Sequence, residues 1–107
     1  MDKRLKFSYL LDIYGSLLTE KQYDVLNAYY DEDLSITEIA EYAKVTRQAA
    51  YDLIKRAEHI LLDYDEKLQL FSKYMQNLKT LEKIKHEMKT NNISSCMSLI
   101  DTLEKNL

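Results

Sequence analysis

The sequence of 107 residues contains no proline, no tryptophan and a single glycine, Gly15. Proline and glycine supply most tight turns, and glycine-rich loops are a common means of cradling phosphate groups. Their scarcity argues against a fold built from β-hairpins and against a phosphate-binding loop. Helices are the remaining choice, so the composition predicts an all-α fold.

Motifs that carry chemistry are also missing. The sequence has no Cys-x-x-Cys pair, no His-Glu-x-x-His helix and no nucleophile elbow. The single cysteine, Cys96, has no partner within the chain and is interpreted as a small apolar packing residue. His59 and His86 lie 27 residues apart, and no group of carboxylates is expected to converge on either of them. We therefore expect a non-enzymatic protein with no metal site and no cofactor.

Long apolar runs are absent as well, since none approaches the ~20 residues that a membrane span requires. The N-terminus is charged and lacks the apolar stretch of a signal peptide. These features predict a cytoplasmic protein without membrane contact. The formal net charge is -3, and residues 1–59 hold eight basic against eleven acidic residues, which disfavours strong nonspecific binding to nucleic acid.

The first part of the chain contains several residues that can start or end a helix. Asp2 can cap a helix over residues 3–14, and Gly15 is expected to end it in a left-handed conformation. Thr19 and Gln22 have the spacing of a capping box that starts a second helix. The predicted apolar stripe of the first helix is Leu5, Tyr9, Leu10, Ile13 and Leu17. The acidic run Asp31, Glu32 and Asp33 is expected to form an exposed connection.

Residues 34–61 show a short helix, a tight turn and a longer helix. Ser35 and Glu38 form a second capping box, Lys44 and Val45 form the connection, and Thr46 can cap the next helix. The predicted inner residues of the longer helix are Ala50, Leu53, Ile54, Ala57 and Leu61. This is the helix-turn-helix pattern, which many proteins use to place a recognition helix in the major groove of DNA.

The outer side of that longer helix gives the candidate nucleic-acid-binding residues. Arginine and glutamine can read base edges bidentately, whereas lysine and threonine suit phosphate oxygens. The predicted set is Lys44, Thr46, Arg47, Gln48, Tyr51 and Lys55. Asp52 lies on the same side and fits this interpretation poorly. DNA is the favoured partner, while RNA, or a protein surface that meets the acidic run at residues 31–33, remain alternatives.

The rest of the chain predicts a helical extension. Apolar residues continue beyond Leu61 at three- and four-residue spacing, as in a helix of about 45 Å over residues 60–89 at ~1.5 Å per residue. Ser94 or Ser95 can cap a last short helix. We predict a helix-turn-helix domain over residues 1–62 and a dimerising extension over residues 63–107. The predicted homodimer contacts are Leu68, Phe71, Met75 and Leu78.

The block from Leu34 to Ala57 resembles region 4 of bacterial sigma factors, in which a Leu-Ser-x-x-Glu-Ile-Ala start leads through a short turn to a recognition helix. Together with the run Thr46 to Asp52, the arrangement Ile54-Lys55-Arg56 and the long charged helix, nearly the whole chain resembles the YlxM family. That resemblance implies a small regulatory protein of the signal recognition particle pathway. The resemblance to sigma region 4 implies that the recognition role falls on Thr46, Arg47, Gln48, Tyr51 and Lys55. Lys44 stands where sigma-like turns often have glycine, which suggests a looser turn.

Overall fold

A computed structural model describes residues 1–107 and contains six α-helices and no strand. The all-α prediction is therefore confirmed. The helices are α1 (Lys3–Tyr14), α2 (Glu20–Leu26), α3 (Ile36–Ala43), α4 (Arg47–Leu68), α5 (Leu70–Lys89) and α6 (Ile93–Lys105). They form two compact units, unit 1 (Met1–Gln69) and unit 2 (Leu70–Leu107). None of the helices combines the length and the hydropathy needed to cross a bilayer.

Helix α1 begins as predicted, because the Asp2 side chain accepts from the Arg4 N–H. Its buried residues differ from the predicted stripe, since Phe7, Leu10, Leu11 and Tyr14 face the core. Leu5 and Leu17 are instead 48% and 52% exposed.

The predicted left-handed conformation of Gly15 is also wrong. Gly15 has φ -56° and starts a 3₁₀ turn (Gly15–Leu17). The reason for a glycine is steric, because a Cβ at this position would lie 2.9 Å from Cε2 of Tyr23.

Both predicted capping boxes are present and start α2 and α3. The Gln22 N–H donates to Thr19 Oγ1, and the Glu38 N–H donates to Ser35 Oγ. The reciprocal bonds from the backbone N–H of Thr19 and Ser35 are also formed. Each box satisfies two amide groups at a helix start that otherwise lack partners, which fixes where the helix begins.

The core of unit 1 is built from α1 to α4. Its largest fully buried side chains are Leu10, Leu11, Tyr14, Leu26, Ile39, Ile54 and Leu61. Burying one such side chain contributes roughly 1.5–3 kcal/mol. The contributions come from all four helices, so the core holds α3 and α4 in a fixed position relative to each other.

The predicted continuous helix over residues 60–89 is wrong. Helix α4 ends at Leu68, and Gln69 adopts a left-handed conformation with φ 54°. The division into compact units thus falls after Gln69, whereas the sequence placed a boundary after Leu62. The difference arises because α4 continues to contribute to unit 1 past Leu62: Tyr64 stacks on Tyr14, and the Tyr14 hydroxyl donates to Asp65 over 2.7 Å.

Unit 2 consists of α5 and α6, which pack against each other. Asn91, with φ 57°, follows the end of α5. Asn92 caps α6, because its side chain accepts from the Ser95 N–H. The cap was predicted at Ser94 or Ser95, two or three residues later. Cys96 is buried, as predicted, with its Sγ 3.8 Å from the Ile84 carbonyl oxygen.

Candidate nucleic-acid interface

The turn between α3 and α4 sets the position of the candidate interface. Lys44 has φ 57° and ψ 44°, the left-handed conformation that favours glycine. The Val45 N–H donates to the Ala40 carbonyl over 3.0 Å, so the turn closes tightly on α3. The expectation of a looser turn is therefore wrong, because the chain accepts a strained lysine instead of opening the turn.

Thr46 starts α4 with its side chain. The hydroxyl accepts from the Ala49 N–H over 3.1 Å, as predicted. This bond uses an acceptor site, so the hydroxyl hydrogen can still donate to a phosphate oxygen. The first turn of α4 contains no acidic residue. The first amide groups of a helix lack partners within the helix, and here no carboxylate offsets the positive end of the helix dipole. The start of α4 is therefore suited to an anion.

Helix α4 has one buried side and one exposed side, as predicted. Ala50, Ile54 and Ala57 are at most 2% exposed and face the core. The six candidate residues, Lys44, Thr46, Arg47, Gln48, Tyr51 and Lys55, are all exposed. The fold thus brings the predicted residues together on the solvent side of the turn and the first half of α4.

Arg47 is free to bind a partner. Its guanidinium has no hydrogen bond or ion pair within the chain. It lines a cavity of about 490 Å³ together with Gln48, Tyr51 and Ile36 of α3. A guanidinium at the first position of α4 can therefore reach a base edge or a phosphate group without breaking an internal contact.

Asp52, which fitted the sequence interpretation poorly, has a structural partner. The Gln48 amide donates to the Asp52 carboxylate over 3.0 Å, one helical turn further along α4. This bond fixes the Gln48 side chain and leaves its amide oxygen available as an acceptor. The pairing was visible in the sequence as an i, i+4 spacing, which places two side chains side by side on a helix.

Lys55 makes contacts within the chain that the sequence did not indicate. Its Nζ lies 3.6 Å from a carboxylate oxygen of Glu58 and 5.5 Å from the centre of the Tyr51 ring. Glu58 is only 6% exposed and is the one buried charged residue, so this ammonium offsets its desolvation. The burial of Glu58 was not predicted, because a glutamate three residues after a lysine on a helix normally indicates a surface ion pair.

The acidic run, Asp31, Glu32 and Asp33, is exposed as predicted, and each of its carboxylates has an internal contact. Asp31 accepts from the Ser8 hydroxyl, Glu32 accepts from the Asn27 amide, and Asp33 pairs with Arg4 over 3.0 Å. No three His, Cys, Asp or Glu side chains anywhere in the chain are grouped so that they could hold a metal ion.

The four predicted dimer contacts are not on one helix. Leu68 ends α4 and is 49% exposed, whereas Phe71, Met75 and Leu78 lie half-buried on α5. Gln69 interrupts the helical register on which the prediction relied. Leu61, which was predicted on the inner side of the longer helix, is fully buried in unit 1.

Comparison with known proteins identifies the family. A family model described as "Putative helix-turn-helix protein, YlxM / p13 like", UPF0122, matches residues 1–106. A UPF0122 protein of Shouchella clausii is 42% identical over 106 residues, which cover 98% of this chain and 97% of the relative. UPF0122 proteins of Clostridium acetobutylicum and Clostridium perfringens are 53% and 50% identical, over 83% and 85% of this chain and 73% and 81% of the relatives. The chain therefore belongs to the UPF0122 family of helix-turn-helix proteins.

Proposed function

We propose that this protein is a non-enzymatic regulator that binds DNA with the exposed side of the turn and the first half of α4. The observation that carries the proposal is the division of α4, which buries Ala50, Ile54 and Ala57 and leaves Arg47 exposed and unpaired. The family's helix-turn-helix description supports the same role. For a regulator of this kind we expect a location in the cytoplasm.

The side chains divide by the contact that each can make. Arg47 and the amide of Gln48 suit base edges in the major groove, where bidentate hydrogen bonds discriminate between base pairs. Lys44, Thr46 and the start of α4 suit phosphate oxygens, which fix the position of the helix on the duplex. Tyr51 lies next to Arg47 on the outer side and can pack or hydrogen-bond at the sugar-phosphate backbone.

We further propose that the protein works as a homodimer. Unit 2 has only Ile84 and Cys96 in its buried core, too few to stabilise 38 residues alone. Large apolar side chains of α5 and α6 are exposed: Leu81, Met88, Ile93, Met97 and Ile100. A second copy would cover them and would present two recognition helices to half-sites about 34 Å apart, or a multiple of that distance. Sedimentation at micromolar concentration tests this, and a strictly monomeric protein would contradict it.

The resemblance to the YlxM family suggests that the regulated process is the signal recognition particle pathway. The alternative function is therefore direct contact with an RNA or protein component of that particle. The acidic run at residues 31–33 is the surface that such a protein contact would use, but its carboxylates are engaged with Ser8, Asn27 and Arg4. Retention of a particle component after nuclease treatment would favour the alternative.

Selection from random pools of DNA and RNA at near-physiological salt tests which nucleic acid is bound. The proposal predicts enrichment of duplex DNA with a shared sequence. Enrichment of RNA alone would shift the assignment to the alternative. A lack of enrichment in both pools would contradict nucleic-acid binding.

A further inference from the structure

An apolar groove lies between α2 and α3 and includes none of the six candidate nucleic-acid-binding residues. It has a volume of about 490 Å³. Its floor is formed by Val25, Ala28, Ile39 and Ala43, and Tyr42 lines one side. The volume falls within the roughly 300–1,000 Å³ of typical ligand sites. The floor offers almost no hydrogen-bonding groups, so it suits aliphatic side chains better than a polar metabolite.

Tyr42 beside this groove is unusually exposed for an aromatic residue. It is 83% exposed, and its side chain makes no hydrogen bond or ring contact within the chain. Neither packing nor helix capping accounts for a tyrosine here, since α3 is stabilised by its capping box and by Ile39. Exposed tyrosines next to apolar cavities are frequent anchors of protein interfaces, because the ring adds contact area at a small entropic cost.

The charges around the groove indicate which kind of partner fits. Glu20 and Asp24 of α2 lie on its edge, and neither carboxylate has an internal partner. Lys21 is the only basic residue of the lining. Unit 1 as a whole carries fourteen acidic and nine basic residues. Phosphate groups are therefore disfavoured at this edge, and lysine or arginine side chains are favoured.

We propose that the groove binds an amphipathic, positively charged helix of another protein, through a surface separate from the DNA-binding side of α4. Apolar side chains of that helix fill the floor, Tyr42 packs along it, and its basic residues meet Glu20 and Asp24. A helix laid into an apolar groove is a common mode of peptide recognition, with anchor residues spaced at three and four positions. This interaction would connect a DNA-bound regulator to a protein partner.

A designed peptide provides the probe: a 14-residue helix of leucine and lysine with the leucines on one face, added to ¹⁵N-labelled full-length protein. The proposal predicts chemical-shift changes concentrated on α2 and α3, including the amides of Val25, Ala28 and Tyr42. A peptide of the same composition in scrambled order, and one with glutamate in place of lysine, should cause much smaller changes. Changes centred on α4, equal changes with the scrambled peptide, or no binding would overturn the proposal.

Variants of the groove make the test specific. Tyr42→Ala should weaken peptide binding at least about tenfold, as expected for an interface anchor. Glu20→Gln with Asp24→Asn should weaken binding and reduce its dependence on salt. Tyr51→Ala, an exposed tyrosine on α4, is the matched control and should bind the peptide normally. Equal affinity of Tyr42→Ala and Tyr51→Ala would overturn the proposal. Shift changes on α2 and α3 caused by concentrating the protein alone would also overturn it, since they would assign the groove to a second copy.

Discussion

The Tyr30 hydroxyl donates a hydrogen bond of 2.8 Å to the carboxylate of Glu58 inside unit 1. Tyr30 belongs to the π-helical turn (Asn27–Asp31) that follows α2, and Glu58 belongs to α4, so the bond joins the two helices. The second carboxylate oxygen lies 3.8 Å from Lys3 and 3.6 Å from Lys55. A buried acid thus holds the helix that carries the candidate interface against the rest of the unit. Burial, together with the hydrogen bond to Glu58 and its negative charge, raises the pKa of Tyr30 above its ordinary value.

Tyr30→Phe should destabilise unit 1 by about 1–3 kcal/mol near neutral pH, because it leaves a buried carboxylate oxygen without its donor. The variant keeps the ring, which stacks on Phe7 at 5.1 Å. The wild-type protein should also lose stability above pH 10, at up to ~1.4 kcal/mol per pH unit, because the unfolded tyrosine releases its proton there and the folded one keeps it. Urea unfolding between neutral and alkaline pH measures both effects.

In this experiment the Tyr30→Phe variant should lose less stability above pH 10 than the wild type, because the contribution of the Tyr30 hydroxyl is absent. Tyr42→Phe is the matched control, since that exposed hydroxyl has no internal partner. Its stability should follow the wild type at every pH. Identical curves for the Tyr30 and Tyr42 variants would contradict the role given to the Tyr30–Glu58 bond.

Lys44→Gly should raise the free energy of unfolding by about 0.5–1 kcal/mol. The reason is the left-handed backbone at this position, which a side chain with a Cβ adopts at a cost. Lys44→Ala keeps the Cβ and removes the charge, so it should bring no such gain. Chemical denaturation measures the free energy of unfolding of both variants. Equal stability of the two would show that the turn is not strained.

Gly15→Ala should lower the free energy of unfolding by about 1–3 kcal/mol, the usual cost of overpacking. Its backbone is compatible with alanine, so the loss would come from the new methyl group, 2.9 Å from Cε2 of Tyr23. In a Tyr23→Ala background the same substitution should cost little, which a double-mutant cycle measures. A full loss in both backgrounds would mean that some other contact requires the glycine.

Asp52→Ala should strengthen DNA binding about fivefold. It removes one negative charge from the candidate interface, worth ~1 kcal/mol near the surface, and frees the Gln48 amide. Fluorescence anisotropy with a selected duplex measures the change. Asp101→Ala, which removes an exposed acid of α6 in unit 2, should leave the affinity unchanged. Weaker binding by Asp52→Ala would show that the Gln48–Asp52 pair itself contacts DNA.

The helix starts in unit 1 were predictable because each depends on a few neighbouring residues. Asp2, Thr19, Ser35 and Thr46 all cap the helices that the sequence assigned to them. The inner side of α4 was predictable because small and branched residues recur there at helical spacing. The same local rules placed the six candidate residues on the exposed side of the turn and α4.

The errors concern features that depend on residues far apart in sequence. The need for a glycine at position 15 comes from Tyr23, and the buried state of Glu58 comes from Tyr30 and Lys3. The end of α4 at Gln69 has no glycine or proline to mark it, since a left-handed glutamine gives no signal in the sequence. Apolar spacing continues across this break, which is why one long helix was predicted.

DNA binding by the turn and the start of α4 is tested most directly by comparing wild-type protein with the double variant Lys44→Gly and Arg47→Ala. Neither residue has a side-chain partner within the chain, so the variant should fold at least as stably as the wild type. Lys83→Ala with Lys85→Ala, exposed residues of α5, is the charge-matched control. Affinity for a selected DNA duplex is measured from about 50 to 200 mM salt. We predict at least about tenfold weaker binding by the double variant, with about one to two fewer ions released on binding, and normal binding by the control. Wild-type affinity and salt dependence in the folded double variant would contradict DNA binding through this surface.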